Sequence, residues 1–352
     1  MKFEQFLSQQ KALISEGLSK FIRQQSVNSS TLGLDISQQL ERFVTGGKLA
    51  RGSLVFLGAG LGQEKVDDDK KLKLAMAVEL THSALLMQDD IMDQDTMRRG
   101  QKTIHVQDQL LGKSLDVNQP ELYGQSLAMC TSDLLFFWST HLLNELEIES
   151  KRKQRLIKFF YQNMVNTVWG QIDDVNMAVL DKDFERDEIL QMYLYKTARY
   201  TLTNPLLSGA ILAGIKHNRA EILEDFADNL GIVFQIRDDA LTLFGDSTQI
   251  GKEVGNDIKE DKQTLHRQLL FSQATDQELE QLDQIFGQPE LSQEELELVK
   301  ELMEKYQIKS QVRMVMKQYL TRSKEAMTRL QLGPEAQNLL SGLVEFIINR
   351  HK

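Results

Sequence analysis

Leu85-Leu86-Met87-Gln88-Asp89-Asp90-Ile91-Met92-Asp93 sets three carboxylates at the end of an apolar run, and the reading of this stretch decides the fold. Upstream, Leu72, Leu74, Met76, Val78 and Leu80 continue the run without Pro or Gly, so residues 70–93 are expected to form one helix. Apolar side chains cover nearly its whole circumference, the pattern of a buried helix. On it Asp89 and Asp93 are four residues apart and share a face, with Asp90 beside them. Three carboxylates in a small volume repel one another and lose hydration unless cations compensate, and hard divalent ions with oxygen ligands meet that need. A solvated acidic helix end is the plainer alternative; the apolar flanks argue against it.

A second acidic segment, Phe234-Gln235-Ile236-Arg237-Asp238-Asp239, again closes an apolar helix, and Gly251-Lys252-Glu253-Val254-Gly255-Asn256-Asp257 with Lys262 follows it. The first segment is likewise followed by Arg98-Arg99-Gly100. Helix, carboxylates and cationic loop thus occur twice in that order, as expected of two facing walls of one cavity with metal ions and phosphates between. Earlier still, Gly46-Gly47-Lys48-Leu49-Ala50-Arg51-Gly52 surrounds two cations with glycine. Glycine lets backbone approach a bulky anion, although the stretch also fits an ordinary turn into a helix.

The 352 residues are 41% hydrophobic and 26% charged with only 4 Pro, which suffices for a large core and favours helix. A net charge of −10 argues against a general nucleic-acid surface but leaves room for a local basic patch. The single cysteine, Cys130, permits no internal disulfide and, lying in an apolar run, is expected to be packed. No apolar segment reaches the roughly 18 residues of a membrane span. The start MKFEQFLSQQ lacks the apolar core of a signal peptide, so a cytoplasmic protein is expected.

The first fifty residues are expected to form one or two amphipathic helices around a polar loop at 26–30. Residues 111–124 are expected to be a loop containing Pro120, with a helix resuming over 128–143 that carries Phe136, Phe137 and Trp138. Thr275 with Glu278 and Ser292 with Glu295 have the spacing of capping boxes, and residues 275–352 are expected to be scaffold. No strand alternation is long enough to defend a sheet.

Taken together, these motifs resemble the trans-isoprenyl diphosphate synthases, or polyprenyl synthetases, over essentially the whole chain, 1–352. Gly47-Lys48-Leu49-Ala50-Arg51 is similar to the family's G-K-x-x-R, Glu79-Leu80-Thr81-His82 to its E-x-x-H, and residues 89–93 with Arg98-Arg99-Gly100 to its first aspartate-rich motif. Gly170-Gln171 with Asp174, Lys196-Thr197, Phe234-Gln235 with Asp238-Asp239, and Gly251-Lys252 with Asp257 and Lys262 continue the series in family order.

The resemblance implies an all-α, single-domain bundle of about 10–14 helices around a central cavity. It implies a homodimer that joins isopentenyl diphosphate head to tail with an allylic diphosphate. Asp89, Asp93 and Asp238 would ligate about three Mg²⁺ ions together with substrate oxygens. Arg98, Lys196, Lys252 and Lys262 would help neutralise the departing allylic diphosphate. Lys48, Arg51, His82 and Arg99 would hold isopentenyl diphosphate, and Thr197 and Gln235 would face the allylic cation.

Two departures from the family pattern stand out. Thr242 occupies the place of the second motif's third aspartate, and Gly52 that of a proline after the G-K-x-x-R arginine. The growing chain is expected to pass Ala84 and Leu85, one turn before Asp89, where alanine leaves room. Phe136, Phe137 or Trp138 is then the expected floor, giving a twenty-carbon product, with longer chains, a fifteen-carbon product or a non-catalytic regulatory subunit as alternatives. A di-iron bundle would need a second E-x-x-H, which the sequence lacks. A terpene cyclase would replace the second aspartate motif.

Overall fold

A computed structural model describes residues 1–26, 36–180, 182–244 and 255–349. Met1–Phe159, Pro205–Ala220 and Leu332–Gly342 make one compact unit, and Phe160–Asn204, Glu221–Gln331 and Leu343–Lys352 make a second. Among the described residues the only strands are two of two residues each, and everything else regular is helix.

The first unit holds α1 (Phe3–Ser26), α2 (Ser37–Thr45), α3 (Ala50–Ala59), α4 (Asp68–Met92), the hairpin β1 (Met97–Arg98) and β2 (Gln101–Lys102), α5 (Ile104–Ser114) and α6 (Pro120–Asn144). Its helix α4 is the one expected from the acidic stretch. Asp67 caps it by accepting the Lys70 N–H, and Asp68 and Asp69 favour the positive end of its dipole. Leu74, Leu80 and Ala84 are fully covered and Met87 nearly so. Each large side chain so buried contributes about 1.5–3 kcal/mol relative to exposure.

Helix α6 corrects three expectations. It begins at Pro120, whose fixed φ and missing N–H suit a first helical position, so the proline opens the helix instead of marking a loop. Its inward stripe is small and polar. Ala128, Thr131, Ser132, Leu135 and Ser139 are buried, and the two serines meet α4: Gln88 Nε2 donates to Ser132 Oγ at 3.0 Å, Thr81 Oγ1 to Ser139 Oγ at 2.8 Å and Ser139 Oγ to the Ala77 carbonyl at 2.8 Å. The residues about half a turn away therefore point out. Cys130 is exposed rather than packed, and Phe137 is 71% exposed, which does not fit the floor of a closed cavity. Trp138 meets Phe21 of α1 edge to face at 5.9 Å.

α7 (Ser150–Met177) supplies its later turns to the second unit. There follow α8 (Arg186–Tyr193), a π-helical segment (Leu194–Thr203), α9 (Asn204–Leu212), most of which returns to the first unit, and α10 (His217–Phe244). The second unit continues with α11 (Asn256–Lys259), α12 (Leu265–Phe271), α13 (Asp276–Ile285), α14 (Gln293–Lys305) and α15 (Ile308–Arg329), and α16 (Pro334–Ile348) ends in it. Its apolar core gathers Ile189, Tyr193, Ile236, Leu265, Leu282 and Ile308. Both expected capping boxes form, and a third, Glu185 with Glu188, opens α8.

Candidate active site

The hairpin after α4 explains why two adjacent arginines do different work. Met97 pairs with Lys102 and Arg98 with Gln101, leaving Arg99 and Gly100 as a two-residue turn with φ of 53° and 74°. Two positive φ values in succession are the type I′ pattern, which matches strand twist and favours glycine at one position. Arg98, the last residue of β1, turns to the acids: its Nε donates to Asp90 Oδ1, and its Nη2 lies 3.3 Å from Asp95 Oδ2 and 3.7 Å from Asp89 Oδ2.

Arg99 turns the other way and lies over Gly47. A Cβ on that glycine would come within 2.8 Å of its Nη2, so the glycine expected to admit an anion leaves room for a guanidinium. Lys48 precedes α3, whose N-cap Leu49 has φ 49°. Arg51 Nη1 lies 3.0 Å from His82 Nε2, so the ring accepts there. Burial, then Arg51, Arg99 and Arg98, pushes the imidazole pKa well below its ordinary value and keeps it neutral.

Glu79, one turn before His82, accepts the Gly52 N–H at 2.6 Å. Burial raises its pKa, and the Gly52 N–H, Arg51 and Arg99 oppose that rise. A proline at residue 52 has no N–H to give, so this departure from the family pattern creates a contact between α3 and α4.

Burial pushes Asp90 to about 7 although Arg98 opposes it, and its Oδ2 has no hydrogen-bond partner. Burial also opposes the charge on Arg98, yet Asp90, Asp89 and Asp95 together hold its pKa above the ordinary value. Asp93 caps α4 at its negative end. An orphaned buried carboxylate oxygen beside Asp89 and Asp93, at a helix C-terminus, fits a hard divalent cation. Among the described residues no three His, Cys, Asp or Glu side chains form a ready-made ligand set. That suits Mg²⁺, which is usually held by one or two carboxylates with waters and substrate phosphates.

The second unit carries the other expected residues. Lys196 and Thr197 lie on the π-helical segment, a form enriched at functional sites. Lys196 Nζ pairs with Asp174 of α7, and a side chain on Gly170 would strike the Lys196 backbone. Asp238 and Asp239 follow one another on α10, and Gln235 Nε2 donates to Asp239 Oδ1 at 2.6 Å. Burial, then Asp257, pushes Asp239 to about 8. The Thr242 hydroxyl reaches back to the Asp238 carbonyl at 3.3 Å, a bond within its own helix. Lys262 Nζ lies 2.9 Å from Glu260. Lys252 falls outside the described residues.

Residues 35–304 match the family model described as Polyprenyl synthetase. The chain belongs to the polyprenyl synthetase family. It is 30% identical over 263 residues to a short chain isoprenyl diphosphate synthase of Methanocaldococcus jannaschii, covering 73% of this chain and 72% of that protein. It is also 30% identical over 320 residues to a geranylgeranyl diphosphate synthase of Sulfolobus acidocaldarius, covering 88% and 89%. The fold matches a geranylgeranyl pyrophosphate synthase of Corynebacterium glutamicum, solved with isoprenyl diphosphate and magnesium, with a TM-score of 0.91 over 99% of this chain and 100% of that one, at 22% identity. Membership makes the chain a trans-prenyltransferase with the all-α isoprenoid synthase fold.

Several residues that hold the family's motifs in place were not singled out for a role in the sequence. Asp90 and Asp95 hold Arg98, Asp174 holds Lys196, and Glu79 ties α3 to α4. The E-x-x-H and G-Q-x-x-D spacings were the available signals for two of them. No helix among the described residues is long and apolar enough to cross a membrane.

Proposed function

We propose that the protein joins isopentenyl diphosphate head to tail with an allylic diphosphate and makes a twenty-carbon product, as a homodimer in the cytoplasm, with 1–352 acting as one catalytic domain. The observation that carries this reading is the divided role of the adjacent arginines, Arg98 on the carboxylates of α4 and Arg99 over Gly47 near Arg51 and His82.

Asp89, Asp93 and Asp238 would hold about three Mg²⁺ ions, which when bound supply positive charge to the leaving diphosphate. Lys196, Lys252, Lys262 and Arg98 would add positive charge that favours departure of the allylic diphosphate. Lys48, Arg51, Arg99 and neutral His82 hold the diphosphate of isopentenyl diphosphate and orient its double bond toward the allylic carbon. Thr197, 8% exposed, and Gln235 offer oxygen dipoles to the allylic cation, and their partial burial keeps water from it. The released diphosphate takes the final proton.

Half-buried Leu85 would border the growing chain on α4, whereas Ala84, fully covered, offers it no open face; a geranylgeranyl-named relative supports twenty carbons. Phe136, half-buried on α6, remains the candidate floor. Dimerisation is supported by α7, where Tyr161, Val165, Val168, Ile172 and Val175 are exposed at alternating spacings of four and three, the pattern of a helix seam. Incubation with Mg²⁺, isopentenyl diphosphate and allylic primers of five to fifteen carbons, read by chromatography, tests product length. A C20 product is expected; a C15 product or one of C25 and above would replace the length assignment, and absence of product with every primer would favour the regulatory subunit.

A further inference from the structure

Tyr193 closes α8 one residue before the π-helical segment and is 2% exposed. None of the motifs that identify the family includes it. Its hydroxyl donates to Asp239 Oδ2 and accepts the Leu265 N–H at 2.9 Å. Asp239 is thereby held on both oxygens, since Oδ1 accepts from Gln235.

The three partners come from different parts of the chain. Tyr193 stands three residues before Lys196, Asp239 is next to Asp238, and Leu265, the first residue of α12, follows Lys262 by three. One phenol oxygen therefore joins the segments that carry Lys196, Asp238 and Lys262. The joint needs a group that donates and accepts at once, which a phenol does and a phenyl ring cannot. The Leu265 N–H is one of the donors that a helix start leaves without an intrahelical partner, so the bond also fixes where α12 begins.

We propose that Tyr193 is a positioning residue for the allylic-diphosphate side of the site. It sets Asp238 and the two lysine-bearing segments in register before substrate arrives, so binding energy is not spent on ordering them. This rests on the function proposed above. A purely structural tyrosine would affect stability alone; a positioning tyrosine changes one ligand's affinity selectively.

The test uses Y193F in the full chain, with titration calorimetry of farnesyl thiodiphosphate, which does not ionise, in the presence of Mg²⁺, and of isopentenyl diphosphate in parallel. Affinity for the thiodiphosphate is expected to fall roughly tenfold or more, with isopentenyl diphosphate changed less than about twofold. Both affinities unchanged, or both lowered together, would overturn the proposal. D239A should reproduce the selective loss, and the Y193F/D239A double variant should lose less than the two single losses multiplied together, because the Tyr193–Asp239 bond is removed by both; losses that multiply in full would overturn it. If Y193F does not fold, D239N replaces it. Asparagine still offers the phenol an acceptor, so D239N should bind the thiodiphosphate more tightly than D239A, and equal losses would overturn the proposal. A wild-type protein that does not bind the thiodiphosphate with Mg²⁺ overturns both this proposal and the proposed function.

Discussion

Gly47 shows how a residue with no side chain sets chemistry at a distance. Its bare face receives the Arg99 guanidinium, so G47A should displace Arg99 and raise KM for isopentenyl diphosphate about tenfold, with KM for the allylic substrate little changed. Steady-state kinetics with each substrate varied in turn check this; equal changes in both constants would count against it. The carboxylates should behave differently. D89A and D238A are each expected to lower kcat by about 10²-fold or more, with the helical circular dichroism retained, because each would remove a ligand for the charge that stabilises the leaving group. Near-normal turnover would remove either residue from the metal set.

His266 on α12 contributes one part of the pH dependence of stability. Burial, with Lys309 adding to it, holds its pKa at about 4, and Phe244 covers the ring edge to face at 5.7 Å. The unfolded chain takes up this proton near the ordinary 6.5, before the folded one does. The contribution is therefore full above about 6.5 and lost as pH falls toward 4, on the order of 3 kcal/mol in all. H266F should flatten the fall in melting temperature between pH 7 and 4. Asp228, which burial raises to about 6, titrates in both proteins and cancels in the comparison. Parallel curves would show that His266 does not carry this dependence.

Among elements, legibility followed the strength of the local pattern. The expected helix over 70–93 differs from α4 by two residues at its start and one at its end, because a long apolar run with no Pro or Gly permits little else. Thr275 and Ser292 likewise mark their helices, since a capping box is satisfied within four residues. The hairpin is different. Two-residue strands carry no alternation to read, and only the Arg99–Gly100 turn and the pairs Met97–Lys102 and Arg98–Gln101 define them.

Helix α6 shows why apolar content alone misplaces a face. Ser132 and Ser139 point inward because they find partners, Ser132 with Gln88 at 3.0 Å and Ser139 with the Ala77 carbonyl, so Phe137 and Cys130 are left outside. Those partners are 44 and 62 residues away and invisible to a local reading. In the π-helical segment the contact is close enough to test. G170A should press on the Lys196 backbone and raise KM for the allylic diphosphate more than KM for isopentenyl diphosphate. Unchanged constants would show that the segment gives way.

At the scale of the whole molecule, the seven motifs in family order identified the fold class where any one alone would not. What they left unread is which partner each motif residue holds, as with Glu79 on the Gly52 N–H and Asp174 on Lys196, because pairing depends on long-range contact rather than on spacing. The exposed seam on α7 makes a further expectation. Val168→Glu with Ile172→Glu would place charge on an apolar face and should convert the proposed dimer to monomer in light scattering. A variant that remains dimeric would remove α7 from the interface.

The most direct measurement is transfer of the prenyl group from farnesyl diphosphate to isopentenyl diphosphate in a single turnover, run with Mg²⁺ and again with chelator. Rapid formation of a chain-extended diphosphate that stops on chelation is expected. No extension in the presence of Mg²⁺, or extension at the same rate without it, would contradict the division of this chain into a metal-bound allylic side and a cation-bound isopentenyl side.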